Sequence, residues 1–503
     1  MCGFSGMLLN ERSWEGKRVV HQYLEDMARA VFHRGPDDHS KLIREKDYLG
    51  VSFQRLSILD LSRSARQPML SRCKEWMIVY NGEVYNFNDL KKNISYKSDY
   101  WLTNSDTEVI LENISKFGFS KSISMLNGMF AIAAYSFKTK TLWLARDKFG
   151  EKPLYYWQDK KKGFFFSSEL KSLYRLPFYK KEISGEAFTN YLRFGYVPDP
   201  LSIIENTYKL MPGAILKYSE NQELKISKYW DSVEEFKASN EKKFTGSYKE
   251  AIEEVKERID YSCKNRLISD VPVGAFLSGG IDSSNLVYSL SRQKINIETF
   301  SVGFHDKRTN ELGYANQIAK DLVTRHNEIF IDEDECINEI YNIVESYDEP
   351  FSDPSLIPTF LLSKHARKKV TVAISGDGAD ELFGGYPRYN KISQYWDNIK
   401  GHPIFLKNLF YKLSFKSSSS RIRILASLGK KIRKLSHKNL AQLYNDEMSR
   451  WRPDEGLYKL SEIDSFEDEN SDDSNTRISY FRSLMLKDIK TYLPSNLLVK
   501  IDR

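Results

Sequence analysis

The spacing of apolar residues changes once along this chain. From Cys2 to about Leu210 they come in short runs broken by turn residues: Trp76 to Tyr80 before Asn81-Gly82, Phe130 to Tyr135, and Thr141 to Ala145. Runs of this length with turn signals between them predict strands, with a turn at Asn81-Gly82. The stretch Tyr196 to Gly213, with Pro198, Pro200 and Pro212, interrupts regular structure and predicts an interdomain connection. Beyond it the period lengthens. Ser247-Tyr248-Lys249-Glu250 has the form of a capping box, and Tyr248, Ile252, Val255, Ile259 and Cys263 then recur at helical spacing. The apolar run Val273 to Leu277, a glycine-rich loop, a helix from about Ser283, a strand over Thr299 to Phe304 and another over Val370 to Ile374 follow. Strands alternating with helices imply a parallel sheet covered on both faces.

The chain has 503 residues, 41% of them hydrophobic and 28% charged, which is too long for one core and divides naturally in two. The change of rhythm places the division near residue 215, giving units of residues 2–215 and 216–503. No run of about eighteen apolar residues and no basic-then-apolar leader is present, so no membrane partner is implied and a cytoplasmic location is expected. Cys2, Cys73, Cys263 and Cys336 form no Cys-x-x-Cys pair, against a zinc site or a disulfide framework. The net charge of +7 is uneven, basic over 400–438 and acidic over 454–473. Such blocks read as solvated faces, and no nucleic-acid partner is inferred from them.

Candidate chemistry begins at residue 2. Removal of Met1 would leave a thiol and an α-amine on the single residue Cys2, and an α-amine titrates near pH 8, so it can take the thiol's proton. The string Ser278-Gly279-Gly280-Ile281-Asp282-Ser283-Ser284 follows a buried strand and opens a helix. Its glycines let backbone N–H groups approach an anion, and the helix N-terminus adds positive potential. It lacks the lysine of the Gly-x-x-x-x-Gly-Lys loop. It resembles the loop of the ATP pyrophosphatase group, which implies cleavage between the α and β phosphates with Asp282 holding magnesium. Ser375-Gly376-Asp377-Gly378-Ala379-Asp380-Glu381 follows the next apolar strand, and its three carboxylates must share metal, ammonium or proton-transfer duties or else repel one another.

Cys2-Gly3-Phe4-Ser5-Gly6, His33-Arg34-Gly35-Pro36-Asp37, Gln54-Arg55-Leu56-Ser57-Ile58, Asn81-Gly82-Glu83-Val84-Tyr85-Asn86 and Ser105-Asp106-Thr107-Glu108 together resemble the glutaminase half of class II amidotransferases. With the two loops, nearly the whole chain resembles glutamine-hydrolysing asparagine synthetases. The resemblance implies an α+β N-terminal nucleophile domain of stacked antiparallel sheets between helices, followed by an α/β parallel-sheet ATP pyrophosphatase-like domain. It implies Cys2 as nucleophile, Asn81 and Gly82 as oxyanion hole, Arg55 on the glutamine carboxylate, Asp106 on its ammonium, and Leu56, Ser57, Ile58 and Glu83 as further glutamine contacts. It also implies that Leu277, Ser278, Gly279, Gly280, Asp282, Ser283, Val302, Ser375 and Gly376 bind ATP, that Asp282 and Asp380 bind Mg2+, that Asp377 supports the intermediate, and that Lys500 neutralises the phosphates. Glutamine, aspartate and ATP are the implied substrates, a dry tunnel for ammonia the implied connection, and a homodimer the implied assembly.

The family pattern continues past the lysine motif, whereas this chain stops at Ile501-Asp502-Arg503, so Lys500 is expected to be poorly held and the synthetase step weak. Three other readings stand beside asparagine synthesis: the same chemistry on another carboxylate such as a sugar uronic acid, a glutamine sensor without synthetase activity, and a tRNA-modifying adenylating enzyme. The last lacks the expected cysteine pairs and a clear basic RNA surface.

Overall fold

The computed structural model describes residues 1–94, 100–219, 223–293, 296–304, 312–418, 432–451 and 477–503. The acidic block 454–473 and residues 419–431 of the basic block lie outside the described residues.

The short apolar runs of the first half become β1 (Gly3–Leu9), β2 (Asp38–Arg44), β3 (Leu49–Arg55), β4 (Met69–Leu70), β5 (Trp76–Val84), β6 (Gly128–Ser136), β7 (Thr141–Arg146), β8 (Tyr155–Asp159), β9 (Gly163–Ser167), β10 (Thr207–Lys209), β11 (Ala214–Ser219) and β12 (Leu224–Lys228). They form two six-stranded antiparallel sheets, β10-β8-β9-β1-β3-β2 and β12-β11-β7-β6-β5-β4. Phe4, Val51, Phe53, Phe164 and Phe166 of the first sheet meet Met77, Val79, Ala133, Leu144 and Leu216 of the second in a dry interlayer. Each fully buried Phe or Leu contributes about 1.5–3 kcal/mol. The helix Lys17–Ala30 covers the outside of the first sheet through Val20, Leu24 and Met27. The helices Phe87–Ile94 and Asp106–Phe117 cover the outside of the second. The layers therefore run helix, sheet, sheet, helix.

Three expectations change here. The chain does not turn at Asn81-Gly82: β5 runs straight through, with Asn81 opposite Ala131 and Gly82 opposite Phe130. Glycine serves strand approach there, since a Cβ at Gly82 would lie 2.1 Å from the Met129 carbonyl oxygen. The proline-rich stretch is not a connection between domains, because β10 and the buried Asp199–Arg146 ion pair (2.6 Å) tie it to the layered unit. The boundary near 215 falls inside β11, and the second sheet continues to Lys228.

The second unit opens with the helix Tyr248–Arg266, whose capping box is formed by Ser247 and Glu250. Of its apolar positions Cys263 is buried, but Tyr248 is 84% exposed. β13 (Val273–Phe276), β14 (Glu298–Gly303), β15 (Arg325–Phe330) and β16 (Val372–Ile374) form a parallel sheet in the order β15-β14-β13-β16. Val273, Ala275 and Leu277 pack against Val287, Leu290, Ala315 and Ala319 on one side. Phe300, Ile329, Leu361 and Val370 form a second cluster around the sheet. Among the described residues no helix is long and apolar enough to cross a membrane.

Candidate active sites

Strand register builds the first site. Gly3 pairs with Gln54, so Cys2 and Arg55 adjoin at the ends of β1 and β3. The Cys2 thiol, half-buried, donates to the Leu56 carbonyl at 3.5 Å. Burial pushes that thiol up, and the charges of Glu83 and Arg55 also bear on it. Burial lowers the adjacent Met1 amine to about 5. The Arg55 guanidinium donates to the carbonyls of Ser62 (2.8 Å) and Asp60, so a loop orients its fork.

On the facing sheet, Asn81 is 1% exposed and its Nδ2 has no hydrogen-bond partner. A buried amide donor without an acceptor costs about 1–3 kcal/mol, and an incoming oxyanion would supply the acceptor. Asp106 opens the helix Asp106–Phe117, its carboxylate accepting from Tyr80 Oη at 2.8 Å and Val84 N at 3.0 Å. Burial raises the Asp106 carboxyl despite those donors, and burial together with Asp106 pushes Glu83 well above the carboxylate range. A buried Asp106 and a half-buried Glu83 that repel each other suit an ammonium ligand. Ser57 N donates to Asp37 (2.8 Å), and the Ile58 carbonyl accepts from Asp270 N (3.0 Å), so this segment also touches the second unit.

The second site lies at the carboxyl ends of β13, β14 and β16. Gly279 has φ 84, and a Cβ there would sit 2.8 Å from Tyr314 Cβ and from Ala315 N, so the loop needs glycine on both counts. Ser278 Oγ and Ser283 Oγ lie 2.9 Å apart, and Ser284 Oγ donates to the Gly280 carbonyl at 2.6 Å. The helix Ile281–Ser291 begins there, with Asp282 in its first turn. β16 is the direct neighbour of β13, so the loop Ser375–Asp380 lies alongside: a Cβ on Gly376 would be 3.3 Å from Ser283 N and 3.4 Å from Asp282 Cβ. Leu277 N donates to the Phe300 carbonyl at 2.9 Å, two residues before Val302 on β14.

Not all three carboxylates of the second loop face that cleft. Glu381 is fully buried and accepts from Tyr386 Oη at 2.8 Å, which removes it from shared metal duty. Burial, then Asp282, then Asp377 hold the Asp380 carboxyl above its ordinary value. Lys500 corrects another expectation. It is 9% exposed, with Nζ donating to Ser355 Oγ at 2.9 Å and lying 3.7 Å from Asp377 Oδ1. It is held because the helix Leu498–Asp502 is wedged between the two units, with Tyr347 Oη donating to its carbonyl at 3.3 Å.

The wedge also joins residues that sequence reasoning left without a role. Arg34 donates from Nε to the Cys2 carbonyl at 2.9 Å and pairs with Glu169 (2.7 Å) and Asp502 (2.9 Å). Arg503 pairs with Glu169 (2.7 Å) and Asp348 (3.1 Å). Arg34 stood inside the quoted string His33–Asp37, but Glu169, Asp348 and Arg503 stood in no motif. Two small adjoining pockets of about 10 Å3 each flank the wedge and share Tyr155, Lys209, Val499 and Arg503 in their walls.

The glutamine amidotransferase domain family matches residues 1–230, and the asparagine synthase family matches residues 254–503. A protein of Methanocaldococcus jannaschii named putative asparagine synthetase [glutamine-hydrolyzing] 2 is 35% identical over 526 aligned residues, covering 100% of this chain and 98% of that protein. The chain belongs to the glutamine-hydrolysing asparagine synthetase family. Asparagine synthetase [glutamine-hydrolyzing] 1 of Bacillus subtilis is 35% identical over 391 residues, 78% of this chain and 60% of its own length. A putative asparagine synthetase of Mycobacterium tuberculosis is 33% identical over 372 residues, 71% of this chain and 56% of its own. The chain thus spans nearly all of the archaeal relative and under two thirds of the two bacterial ones. As a member of this family it is an enzyme that joins an amidotransferase half to an ATP-using ligase half.

Proposed function

We propose that this enzyme makes asparagine from aspartate, with glutamine as nitrogen donor and ATP as energy source. The observation that carries the glutaminase half is the buried, unpartnered Nδ2 of Asn81 on the strand facing Cys2. Once Met1 is removed, the α-amine of Cys2 takes the thiol proton. The thiolate attacks the glutamine carboxamide carbon. Asn81 Nδ2 and the Gly82 N–H receive the oxyanion, ammonia leaves with the proton, and water releases glutamate from the thioester. Arg55 holds the α-carboxylate with its fork, Asp106 and Glu83 hold the ammonium, and Leu56, Ser57 and Ile58 form the wall.

At the second site the aspartate side-chain carboxylate attacks the α-phosphate, pyrophosphate leaves, and ammonia displaces AMP from the acyl-adenylate. Leu277, Val302, Ser375 and Gly376 contact the nucleotide, while Ser278, Gly279, Gly280 and Ser283 cradle its phosphates. Asp282 and Asp380 would hold Mg2+; the Asp380 carboxyl is raised by burial first and by the charge of Asp282 second, and that nearby charge fits a cation between them. Bound there, the ion supplies neutralisation of phosphate charge. Asp377 supports the intermediate, and Lys500 faces the phosphates once they compete with Asp377 for its charge. The two cavities beside the wedge are the route we assign to ammonia. The wall of one of them carries Lys209 and Glu349 as a 2.8 Å ion pair. The four free thiols support a cytoplasmic setting, and a homodimer through the amidotransferase half is the assembly we assign.

The test is to incubate the purified chain with glutamine, aspartate, ATP and Mg2+ and to follow glutamate, AMP and asparagine together, with Cys2→Ala as control. All three products should rise, and the control should lose only the glutamine-driven share. Glutamate without AMP would overturn aspartate as acceptor and direct a screen of other carboxylates by pyrophosphate release.

A further inference from the structure

Arg55 is buried, and its guanidinium donates to the main-chain carbonyls of Ser62 (2.8 Å) and Asp60. Among the described residues no carboxylate is paired with it, which leaves its charge for a carboxylate that arrives with a ligand. The direction of its fork is therefore set by where the loop 59–62 places its carbonyls. That loop turns at Asp60, whose φ of 52 lies in the left-handed region. Aspartate tolerates this conformation because its short side chain bonds the neighbouring backbone. Here Oδ1 accepts from Ser62 N at 3.0 Å, and Oδ2 accepts from Asn104 N, two residues before Asp106, at 2.7 Å. Burial works against the charge on Asp60, but the donors of Ser62 and Asn104 outweigh it and hold the carboxyl below its ordinary value. The Asp60 N–H is taken by the second unit: it donates to Asp270 Oδ2 at 2.7 Å, while Asp270 N donates to the Ile58 carbonyl at 3.0 Å. Asp270 lies between the helix Tyr248–Arg266 and β13.

We propose that Asp60 and Asp270 are positioning residues for glutamine recognition: together they fix the loop whose carbonyls aim Arg55 at the substrate's α-carboxylate, so that the second unit supplies part of the amino-acid clamp; this rests on the amidotransferase reading above. Neither residue touches the substrate. Asp60 shapes the loop from within, through its left-handed turn and its bond to Ser62 N, and anchors it to the segment leading into Asp106. Asp270 holds the same turn from outside, with one hydrogen bond given and one received. A planar fork binds a carboxylate through two parallel bonds, so a small rotation of Arg55 forfeits one of them. Asn81 and Gly82 are carried by β5, and Cys2 stands at the start of β1, so the loop is no part of their support. Its disturbance therefore weakens substrate binding and spares the attack on the carboxamide. Asp270 is exposed, and removing its side chain takes nothing from the core of the second unit.

The test measures ammonia release from glutamine and from glutamine α-amide, in which a neutral amide replaces the α-carboxylate, for the full chain as wild type, Asp60→Ala, Asp270→Ala and Asp270→Asn. Wild type should prefer glutamine. Asp60→Ala should raise KM for glutamine about tenfold and Asp270→Ala about three- to fivefold, with kcat within about twofold, the pattern of binding lost equally from ground and transition states. KM for the α-amide should hold, so the preference for the α-carboxylate shrinks by the same factors. A general loosening of the layered unit would instead raise both KM values and lower kcat, and that result overturns the proposal. Asp270→Asn keeps an acceptor for the Asp60 N–H and should restore the wild-type KM. Should Asp60→Ala fail to fold, Asp60→Asn, which tolerates the left-handed turn and keeps one acceptor oxygen, replaces it with a smaller rise in KM. An unchanged KM in both alanine variants, or a fall in kcat at constant KM, overturns the proposal; a rise at Asp60 alone overturns the part given to Asp270. A wild type that hydrolyses glutamine and its α-amide equally well overturns the assignment of Arg55 and with it this proposal. If wild type hydrolyses no glutamine, it is the amidotransferase reading that has failed, and the proposal falls with it.

Discussion

The two halves hold their reacting groups in opposite ways. Around Cys2, Arg55, Asn81, Gly82, Glu83 and Asp106 sit on strands or a helix start inside a four-layer core, and several have their partners in place: Asp106 on Tyr80 and Val84, Arg55 on the carbonyls of a loop, Arg34 on the Cys2 carbonyl. At the nucleotide loops the hydroxyls of Ser278 and Ser283 bond each other, and Ile281, Leu382 and Phe383 stand exposed at 81%, 53% and 59%. The first site's groups are held by their own hydrogen bonds, whereas part of the second is open to solvent. Substitutions of the reacting groups in the first should therefore act on the chemical step, and those in the second on binding.

The largest expected effect is that of Cys2→Ala, which should lower glutamine-driven glutamate release by roughly 10⁴-fold or more while ammonia-driven AMP formation persists. Loss of both would break the separation of the halves. Asn81→Ala removes one preorganised donor and should lower kcat for glutamine about 10²–10³-fold at nearly constant KM. A raised KM with unchanged kcat would instead make Asn81 a binding group. At the other site, Asp380→Asn should raise the Mg2+ concentration needed for half-maximal ammonia-driven AMP formation about tenfold, in line with the loss of one ligand, and leave glutamate release alone.

The same variant separates function from stability. The Asp380 carboxyl is raised in the folded state, so its charged form is disfavoured by folding, and that penalty disappears as pH falls through the raised value. Asp380→Asn should therefore melt slightly higher than wild type at neutral pH, with the difference vanishing in acid. A lower melting temperature at pH 7 would mean that Asp380 is held by partners rather than strained. Gly82→Ala gives the smallest functional contrast and a structural one. Forcing a Cβ against the Met129 carbonyl should destabilise the layered unit by about 1–3 kcal/mol in denaturant unfolding, without changing ammonia-driven synthesis.

Much of this was legible along the chain. Short apolar runs between turn residues marked β5, β6 and β7, helical spacing marked the helix at Ser247, and the phosphate cradle announced itself through glycines and hydroxyls between an apolar strand and a helix. What misled was local chemistry whose meaning is set by a neighbour. Asn-Gly is a turn signal, yet at Asn81-Gly82 it is the close approach of β6 that requires glycine. Tyr248, Ile252 and Val255 keep a helical apolar period, yet they face outward at 84%, 49% and 41%. Glu381 shares a string with Asp377 and Asp380, yet one turn of helix points it inward to Tyr386.

The sequence by itself determined the change from short strands to alternating strands and helices, the glycine-rich loops and the family, because each depends on residues close together in the chain. Only the tertiary structure decided that Arg34, Glu169, Asp348, Asp502 and Arg503 form one buried charge cluster, that Lys500 is held, and that a wedge of five residues touches both sites. Those partners lie 135 residues or more apart in the chain for Arg34 and Glu169, and further for Lys152 and Asp502. No period or motif spans such distances. The pairing is set by which surfaces the two cores leave free to meet, and by the cost of burying any one of those charges alone.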